Sequence, residues 1–442
     1  MIKILKYGEI DNSEIFNRGT AATDVSDIVS AIIADVRANG DKALYEYSKK
    51  FDKADLTSLE VTEEEIQAAF EAAGEKFVSI LEKAAENIRA FHEKQVRTGF
   101  VINEKDGIVL GQKILPLETV GLYVPGGTAS YPSSVLMNGI PAKIAGVKNI
   151  IMVTPPGRDG SVRAEILAAA KIAGVDRIFK VGGAQAVAAL AYGTESIPKA
   201  DKIMGPGNAF VAEAKKQVYG VCGIDMIAGP SEILIVADGK TDPRYAAADL
   251  LSQAEHDKMA SAVLVTDDMD FAERTAEEVE RQLALLPREE IARASIDNNG
   301  KIIVAENLET AVDIANEIAP EHLEICTDAP FDLLNRIKNA GSVFMGRSCP
   351  EALGDYFAGP NHTLPTGGTA RFSSPLSVDD FVKKYSFTYY TSDALEAVAD
   401  DIAYFAEKEG LSAHGRSVTV RKEGPSAHGR SVTVRKKGAG ES

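Results

Sequence analysis

The 442-residue sequence has no Trp, only three Cys and only six His. Cys222, Cys326 and Cys349 are too widely spaced for a disulfide framework or a CxxC metal knuckle, so they read as small buried residues. No apolar run approaches the roughly 18 residues that a membrane span requires. The opening stretch Met1-Ile2-Lys3-Ile4-Leu5-Lys6-Tyr7-Gly8 has neither an extended apolar segment nor a small-residue cleavage site. No signal peptide is expected, and the cytoplasm is the expected compartment. Positive charge is in deficit: 48 basic residues against 65 acidic ones give a formal net charge of −17. Nucleic acid and anionic membranes need clustered positive charge, so neither is expected as a partner. The dinucleotide fingerprint G-x-G-x-x-G is also missing.

At 45% hydrophobic and 26% charged residues, the chain has the composition of an ordinary globular protein. Its length suggests roughly two or three domains of about 150 residues each. The first hundred residues repeat apolar positions at helical spacing, as in Ser26-Asp27-Ile28-Val29-Ser30-Ala31-Ile32-Ile33. Thr62 followed by Glu65 is a capping-box pattern. Residues 99–124 turn to strand character, and Asp106-Gly107 between two apolar triplets predicts a hairpin.

From residue 148 onward, short apolar strands alternate with Ala-rich helical stretches. Strands are predicted at 150–153, 178–181, 233–236, 262–265 and 302–304, and helices at 163–173, 184–192, 208–218, 243–256 and 269–286. Such alternation implies βαβ units and parallel sheets. Two sheets fit the run, which the Gly/Pro-rich segment Ile227-Ala228-Gly229-Pro230-Ser231 interrupts. Near the end, Ser412 to Lys422 recurs word for word at Ser426 to Lys436. That length is too short for a solenoid unit, so it reads as a recombination artefact or an appended basic tail.

Several motifs carry chemistry. Val181-Gly182-Gly183-Ala184-Gln185 places two glycines between a predicted strand and a predicted helix, where free N–H groups and the helix dipole suit a phosphate or carboxylate. Gly205-Pro206-Gly207-Asn208 and Val124-Pro125-Gly126-Gly127 are similar in kind. Each alone is equally a plain turn; together they suggest an anion-binding rim. Gln253 and His256, three apart at a predicted helix end, share a face and can reach one ion, although Gln is an uncommon zinc ligand. Pro320-Glu321-His322 offers two proton-transfer groups if both side chains enter one cleft, and otherwise a helix-end His beside a solvated Glu. Asp355 and His362 are expected on an irregular segment, His362 as a ligand or as a support for one. Glu409 and His414 add another acid and imidazole.

The motifs Gly182-Gly183-Ala184-Gln185-Ala186, Gly205-Pro206-Gly207-Asn208-Ala209-Phe210, Gly229-Pro230-Ser231-Glu232, Leu251-Ser252-Gln253-Ala254-Glu255-His256, Pro320-Glu321-His322-Leu323 and Gly359-Pro360-Asn361-His362-Thr363-Leu364-Pro365-Thr366 resemble the histidinol dehydrogenase family. They keep the family's order from roughly residue 20 to residue 422. The resemblance implies an α/β fold of two Rossmann-like parallel-sheet domains with a small helical N-terminal arm and a C-terminal dimerisation tail. The implied division is an arm at 1–20, a first domain at 21–122 and 232–376, a second with the NAD rim at 123–231, and a C-terminal segment at 377–442.

It further implies one zinc ion per site, held by Gln253, His256, Asp355 and His414, and substrate contacts from Ser231, His322, Glu409 and those same ligands. Tyr123, Gln185 and Asn208 match positions that contact NAD, and Glu321 and His322 match the catalytic pair. By resemblance, two NAD are used in sequence to oxidise histidinol to histidine, the last step of histidine biosynthesis. A homodimer is implied, in which the segment bearing Glu409 and His414 enters the neighbour's site. A zinc hydrolase on an α/β scaffold and a catalytically dead relative kept for binding are the competing readings. The cysteines have no neighbouring His, which argues against a covalent thiol route. His414 is preferred over its repeat His428 because it follows the family-like Glu409-Gly410-Leu411.

Overall fold

A computed structural model describes residues 2–16, 24–126 and 130–422. Gly127 of the first glycine motif and the repeated tail 426–436 with His428 lie outside the described residues. The chain divides into two compact units, one of residues 1–96 and 116–382 and the other of residues 97–115 and 383–442.

The larger unit is built on two parallel sheets. In the five-stranded sheet the spatial order is Arg177–Lys180, Asn149–Thr154, Thr119–Tyr123, Lys202–Met204, Gly223–Ile224. Its apolar residues alternate between faces. Ile151 and Val153 pack with the helices Ser26–Asn39, Gly183–Tyr192 and Ala209–Val218, while Ile150 and Met152 pack with Glu75–His92, Pro132–Ala145 and Ala164–Ala173. Burial of each such side chain stabilises by about 1.5–3 kcal/mol, which explains why strands covered on both faces are almost wholly apolar. The Thr62–Glu65 capping box forms as its sequence predicts: Glu65 N–H reaches Thr62 Oγ1 at 3.2 Å, and Thr62 N–H reaches Glu65 Oε2 at 2.8 Å.

In the six-stranded sheet the order is Lys3–Lys6, Lys301–Val304, Ser261–Thr266, Glu232–Ala237, His322–Cys326, Ser342–Met345. Ile233 and Ile235 face the helices Pro243–Ala254, Met269–Leu283 and Glu289–Asn299, and Leu234 and Val236 face Leu308–Ile318. In both sheets the chain first steps outward from one strand and then returns to its other side. Each sheet therefore has a topological switch point, between Thr119–Tyr123 and Lys202–Met204 in one and between Glu232–Ala237 and His322–Cys326 in the other. At the strand ends of the second switch point, Arg347 pairs with Asp238 and Asp328 and donates to Thr241 Oγ1 at 3.0 Å.

The smaller unit contains a sheet ordered Val382–Tyr390, Ile108–Pro116, Phe100–Ile102, and the helices Ser392–Lys408 and Ser412–Lys422. The predicted hairpin pairs Val101 with Gly111 and Ile102 with Leu110. Gly107 has φ +73°, and a Cβ there would lie 2.3 Å from Thr391 Oγ1, so only glycine suits the turn. The first copy of the repeated segment is the helix Ser412–Lys422.

Candidate active site

Asp242 accepts the Arg244 N–H at 2.9 Å, and Pro243 starts the helix Pro243–Ala254 without needing a partner for an N–H. The spacing predicts a helix through His256, but it stops at Ala254, capped by Glu255. The last turn delivers Gln253, which is 1% exposed, and the following turn delivers the half-buried His256. His256 is held by its N–H on the Gln253 carbonyl at 3.0 Å. Burial holds the His256 imidazole below its ordinary value, against the pull of Asp355, and so favours the neutral ring that binds metals. Neither amide atom of Gln253 has a hydrogen-bond partner, although both are buried.

Asp355 lies in the short helix Glu351–Tyr356 and not on an irregular segment as its glycine-rich surroundings predict. A Cβ on Gly354 would lie 2.4 Å from Phe344 Cε1, so this glycine lets the helix close onto the Phe344 strand. The result is a cluster of His322, Glu351 and Asp355 whose ligand atoms all lie within 4.8 Å of one another. Nitrogen and oxygen donors of this kind suit zinc, and the unpartnered Gln253 amide beside them is the cost a ligand would remove. The residues fit a metal site. Glu351 is absent from the set drawn from the sequence, although its spacing of four from Asp355 on a helix was a usable signal. Burial and the neighbouring Asp355 push the Glu351 carboxyl up to about 7, while His322 works in the opposite direction.

His322 opens its strand and is 3% exposed. Its Nδ1 lies 3.0 Å from the Glu232 carbonyl oxygen, which fixes Nδ1–H as donor and leaves the Nε2 lone pair free in the neutral ring. Nε2 lies 3.6 Å from Asp355 Oδ1 and has no hydrogen-bond partner. Burial opposes its charging, but the Glu321 and Asp355 carboxylates outweigh that and push the imidazole up to about 10. A cation held at the cluster counteracts this pull. Glu321 Oε2 accepts the Glu232 N–H at 2.8 Å and stands 3.7 Å from His322 Nδ1. Burial pushes its carboxyl up to about 8, against the pull of His322. Against its own burial, Asp355 is held well below the usual carboxylate range by His322 and His362.

His362 braces this arrangement. Its Nδ1 lies 3.0 Å from the Asp355 carbonyl and its Nε2 lies 3.2 Å from Ser134 Oγ, so it ties the Asp355 segment to the helix Pro132–Ala145. Ser231 directly precedes the strand whose first residue, Glu232, contacts both Glu321 and His322. Cys222 and Cys326 are buried, and burial pushes Cys222 to about 11 and Cys326 higher still, so neither thiol ionises readily. Glu409 and His414 belong to the smaller unit. Both are exposed, at the corner between its two helices, with His414 N–H on the Leu411 carbonyl at 3.0 Å.

Tyr123, Gln185 and Asn208 gather at the carboxyl-terminal strand ends of the five-stranded sheet, beside its switch point. Asn208 caps the helix Ala209–Val218 by accepting from Phe210 and Val211 N–H at 3.1 and 3.2 Å. Tyr123 is 4% exposed, and its hydroxyl accepts the Gly183 N–H at 3.0 Å, which holds the glycine turn of the helix bearing Gln185. These are glycine turns with backbone N–H groups at helix starts, the setting in which a dinucleotide phosphate is received.

Residues 17–422 match the profile of the family described as histidinol dehydrogenase. A histidinol dehydrogenase of Clostridium acetobutylicum is 54% identical over 426 residues, 95% of this chain and 99% of that protein. One of Syntrophotalea carbinolica is 56% identical over 428 residues, again 95% and 99%. The crystal structure of histidinol dehydrogenase from Elizabethkingia anophelis superposes with a TM-score of 0.91 at 40% identity, covering 96% of this chain and 98% of that one. With its two switch-point sheets and its Glu321–His322 and Asp355 cluster, the chain belongs to the histidinol dehydrogenase family.

Proposed function

We propose that the chain oxidises L-histidinol to L-histidine through a bound histidinaldehyde, with two NAD used in turn and one zinc ion per site. The observation that carries the catalytic assignment is His322: its Nδ1 is fixed on the Glu232 carbonyl, and its buried Nε2 has no hydrogen-bond partner. An imidazole so placed takes the alcohol proton at Nε2 as hydride departs. Asp355, 3.6 Å from that nitrogen, stabilises the imidazolium that results. Glu321, whose carboxyl burial pushes up to about 8, acts in its ionised form: it accepts a proton from the water that adds to the aldehyde, and His322 acts again on the hydrate.

Gln253, His256, Asp355 and His414 hold the metal in this reading, and Ser231, Glu409 and His322 contact the substrate. When bound, zinc orients the substrate imidazole and amine as a template, and NAD accepts the hydrides. Tyr123, Gln185 and Asn208 form the NAD rim. Each site is completed by a second copy of the chain, which supplies Glu409 and His414. Support comes from the smaller unit, where both residues are exposed together with Tyr389 (58%), Tyr404 (61%) and Phe405 (67%), an apolar surface that suits burial between subunits. No described helix is long and apolar enough to cross a membrane, and a cytoplasmic setting fits a biosynthetic enzyme of this kind.

The test is NADH formation from histidinol with and without a chelator. The expected result is two NADH per histidinol, lost on chelation and restored by zinc. Absence of a chelator-sensitive NADH signal overturns the assignment.

A further inference from the structure

Lys215 and Asp225 form an ion pair whose side chains are only 2% and 1% exposed. Removing two charges from water costs several kcal/mol each, and replacing a buried pair by apolar groups is often neutral or stabilising. The stability of the sheet therefore does not account for the pair. One further contact from each partner converges on a single residue, Gly205. Asp225 Oδ2 accepts the Gly205 N–H at 2.7 Å, and Lys215 Nζ donates to the Gly205 carbonyl at 2.9 Å. Asp225 Oδ1 also accepts the Met226 N–H at 2.6 Å. Both polar groups of Gly205 are thus gripped, one by the residue following the neighbouring strand Gly223–Ile224 and the other by the helix that the loop leads into.

Gly205 itself cannot be another residue. Its φ is +107°, and a Cβ would lie 2.1 Å from the Tyr123 carbonyl oxygen. A Cβ on Gly207 would lie 2.4 Å from Val211 Cγ1. The loop 205–208 is therefore pressed onto Tyr123 at the switch point, with Asn208 at its exit capping the helix that carries Lys215.

We infer that Lys215 and Asp225 are positioning residues for the cofactor, a buried clamp that fixes the Gly205–Asn208 loop so that Asn208 and the loop N–H groups meet the dinucleotide. This rests on the reading that Asn208 belongs to the NAD rim. The clamp touches neither substrate nor metal. Its loss should weaken NAD binding while leaving zinc content and the affinity for histidinol unchanged. That separation is what a general structural defect would not give.

The experiment measures NADH binding to the intact zinc-loaded enzyme by the fluorescence of the dihydronicotinamide, with zinc content and histidinol KM in parallel. The double variant K215M/D225N removes both charges together and leaves no unpaired ion. Misplaced recognition groups cost roughly ten- to a hundredfold, so the NADH Kd should rise by at least tenfold at unchanged zinc content and histidinol KM. Asp225→Asn alone is the milder variant, expected to fold and to weaken NADH a few-fold. Wild-type NADH binding in either variant overturns the clamp, as does an equal loss of zinc or of histidinol affinity. Asn208→Ser, which keeps the helix cap, tests the underlying reading separately. If N208S binds NADH normally while the clamp variants do not, the Asn208 contact is wrong and the clamp stands. If N208S weakens NADH and the clamp variants do not, the clamp is wrong and the rim stands.

Discussion

Asp52 offers the sharpest test of the electrostatics around the proposed cofactor rim. It ends the turn Ser48–Asp52, its Oδ2 is buried without a hydrogen-bond partner, and its charge acts on the Tyr123 hydroxyl. Burial pushes its carboxyl from the ordinary 3.8 up to about 6. The folded state therefore holds this proton more tightly than the unfolded chain. Stability falls as pH rises from about 4 to about 6, and the whole penalty persists above that window. A fully buried carboxyl with this displacement would cost about 3 kcal/mol. Asp52 is only partly shielded, so solvent screening reduces the figure to about 1–2 kcal/mol. Asp52→Asn removes the charge and keeps the shape. At pH 7.5 it should raise the melting temperature by about 1–3 °C, the scale expected for a chain this long. At pH 4, where Asp52 is protonated in the folded state and only partly ionised in the unfolded one, most of the gain should vanish. Calorimetry at one scan rate across pH 4–8 checks this, and an equal gain at both ends, or none at pH 7.5, refutes the reasoning. If the charge is retained for the cofactor's benefit, the stabilised variant will bind NADH no better than the parent.

Three further outcomes follow from the site. His414→Ala should lose zinc and turnover, measured by metal analysis and NADH formation, whereas His428→Ala should keep both; retained activity in the first reverses the assignment. Glu321→Gln should slow aldehyde oxidation by about 10²–10⁴-fold, the range for loss of one proton-transfer group, and leave the first hydride transfer nearly intact, so stopped-flow should show one NADH per site before a slow phase. Glu351→Gln removes a carboxylate from the His322–Asp355 cluster. It should lower zinc affinity roughly ten- to a hundredfold, as loss of a group around a metal commonly does, and an unchanged chelator titration would remove Glu351 from the site.

How much of this was legible depends on the range of the interactions. The Thr62–Glu65 box and the Asp106–Gly107 hairpin are local, and the sequence carries them plainly. Gln253–His256, Glu321–His322 and Asp355 are readable as motifs, but their convergence is set by strand order. His322 meets Glu232 only because their strands are neighbours across the switch point. Asp355 is misread as irregular because Gly354 and Gly359-Pro360 look like loop; the first is a close-packing glycine on Phe344. Glu351 looks like any acid on a helix until packing leaves it 2% exposed. Lys215 on a helix and Asp225 just after a strand, ten residues apart, have no periodicity to betray them.

The Arg347 bridge has a consequence for traffic through the enzyme. Two sheets of the same topology could each open a crevice at the strand ends, yet at one of them Arg347 spans Asp238 and Asp328 across the gap. On the proposed reading the dinucleotide docks at the other switch point, and the two NAD use that place in turn. The second NAD must enter by the door through which the first NADH leaves, while the half-oxidised substrate waits. On that reading each turnover includes a change of cofactor while the intermediate stays bound, so the intermediate has to be held more tightly than the cofactor.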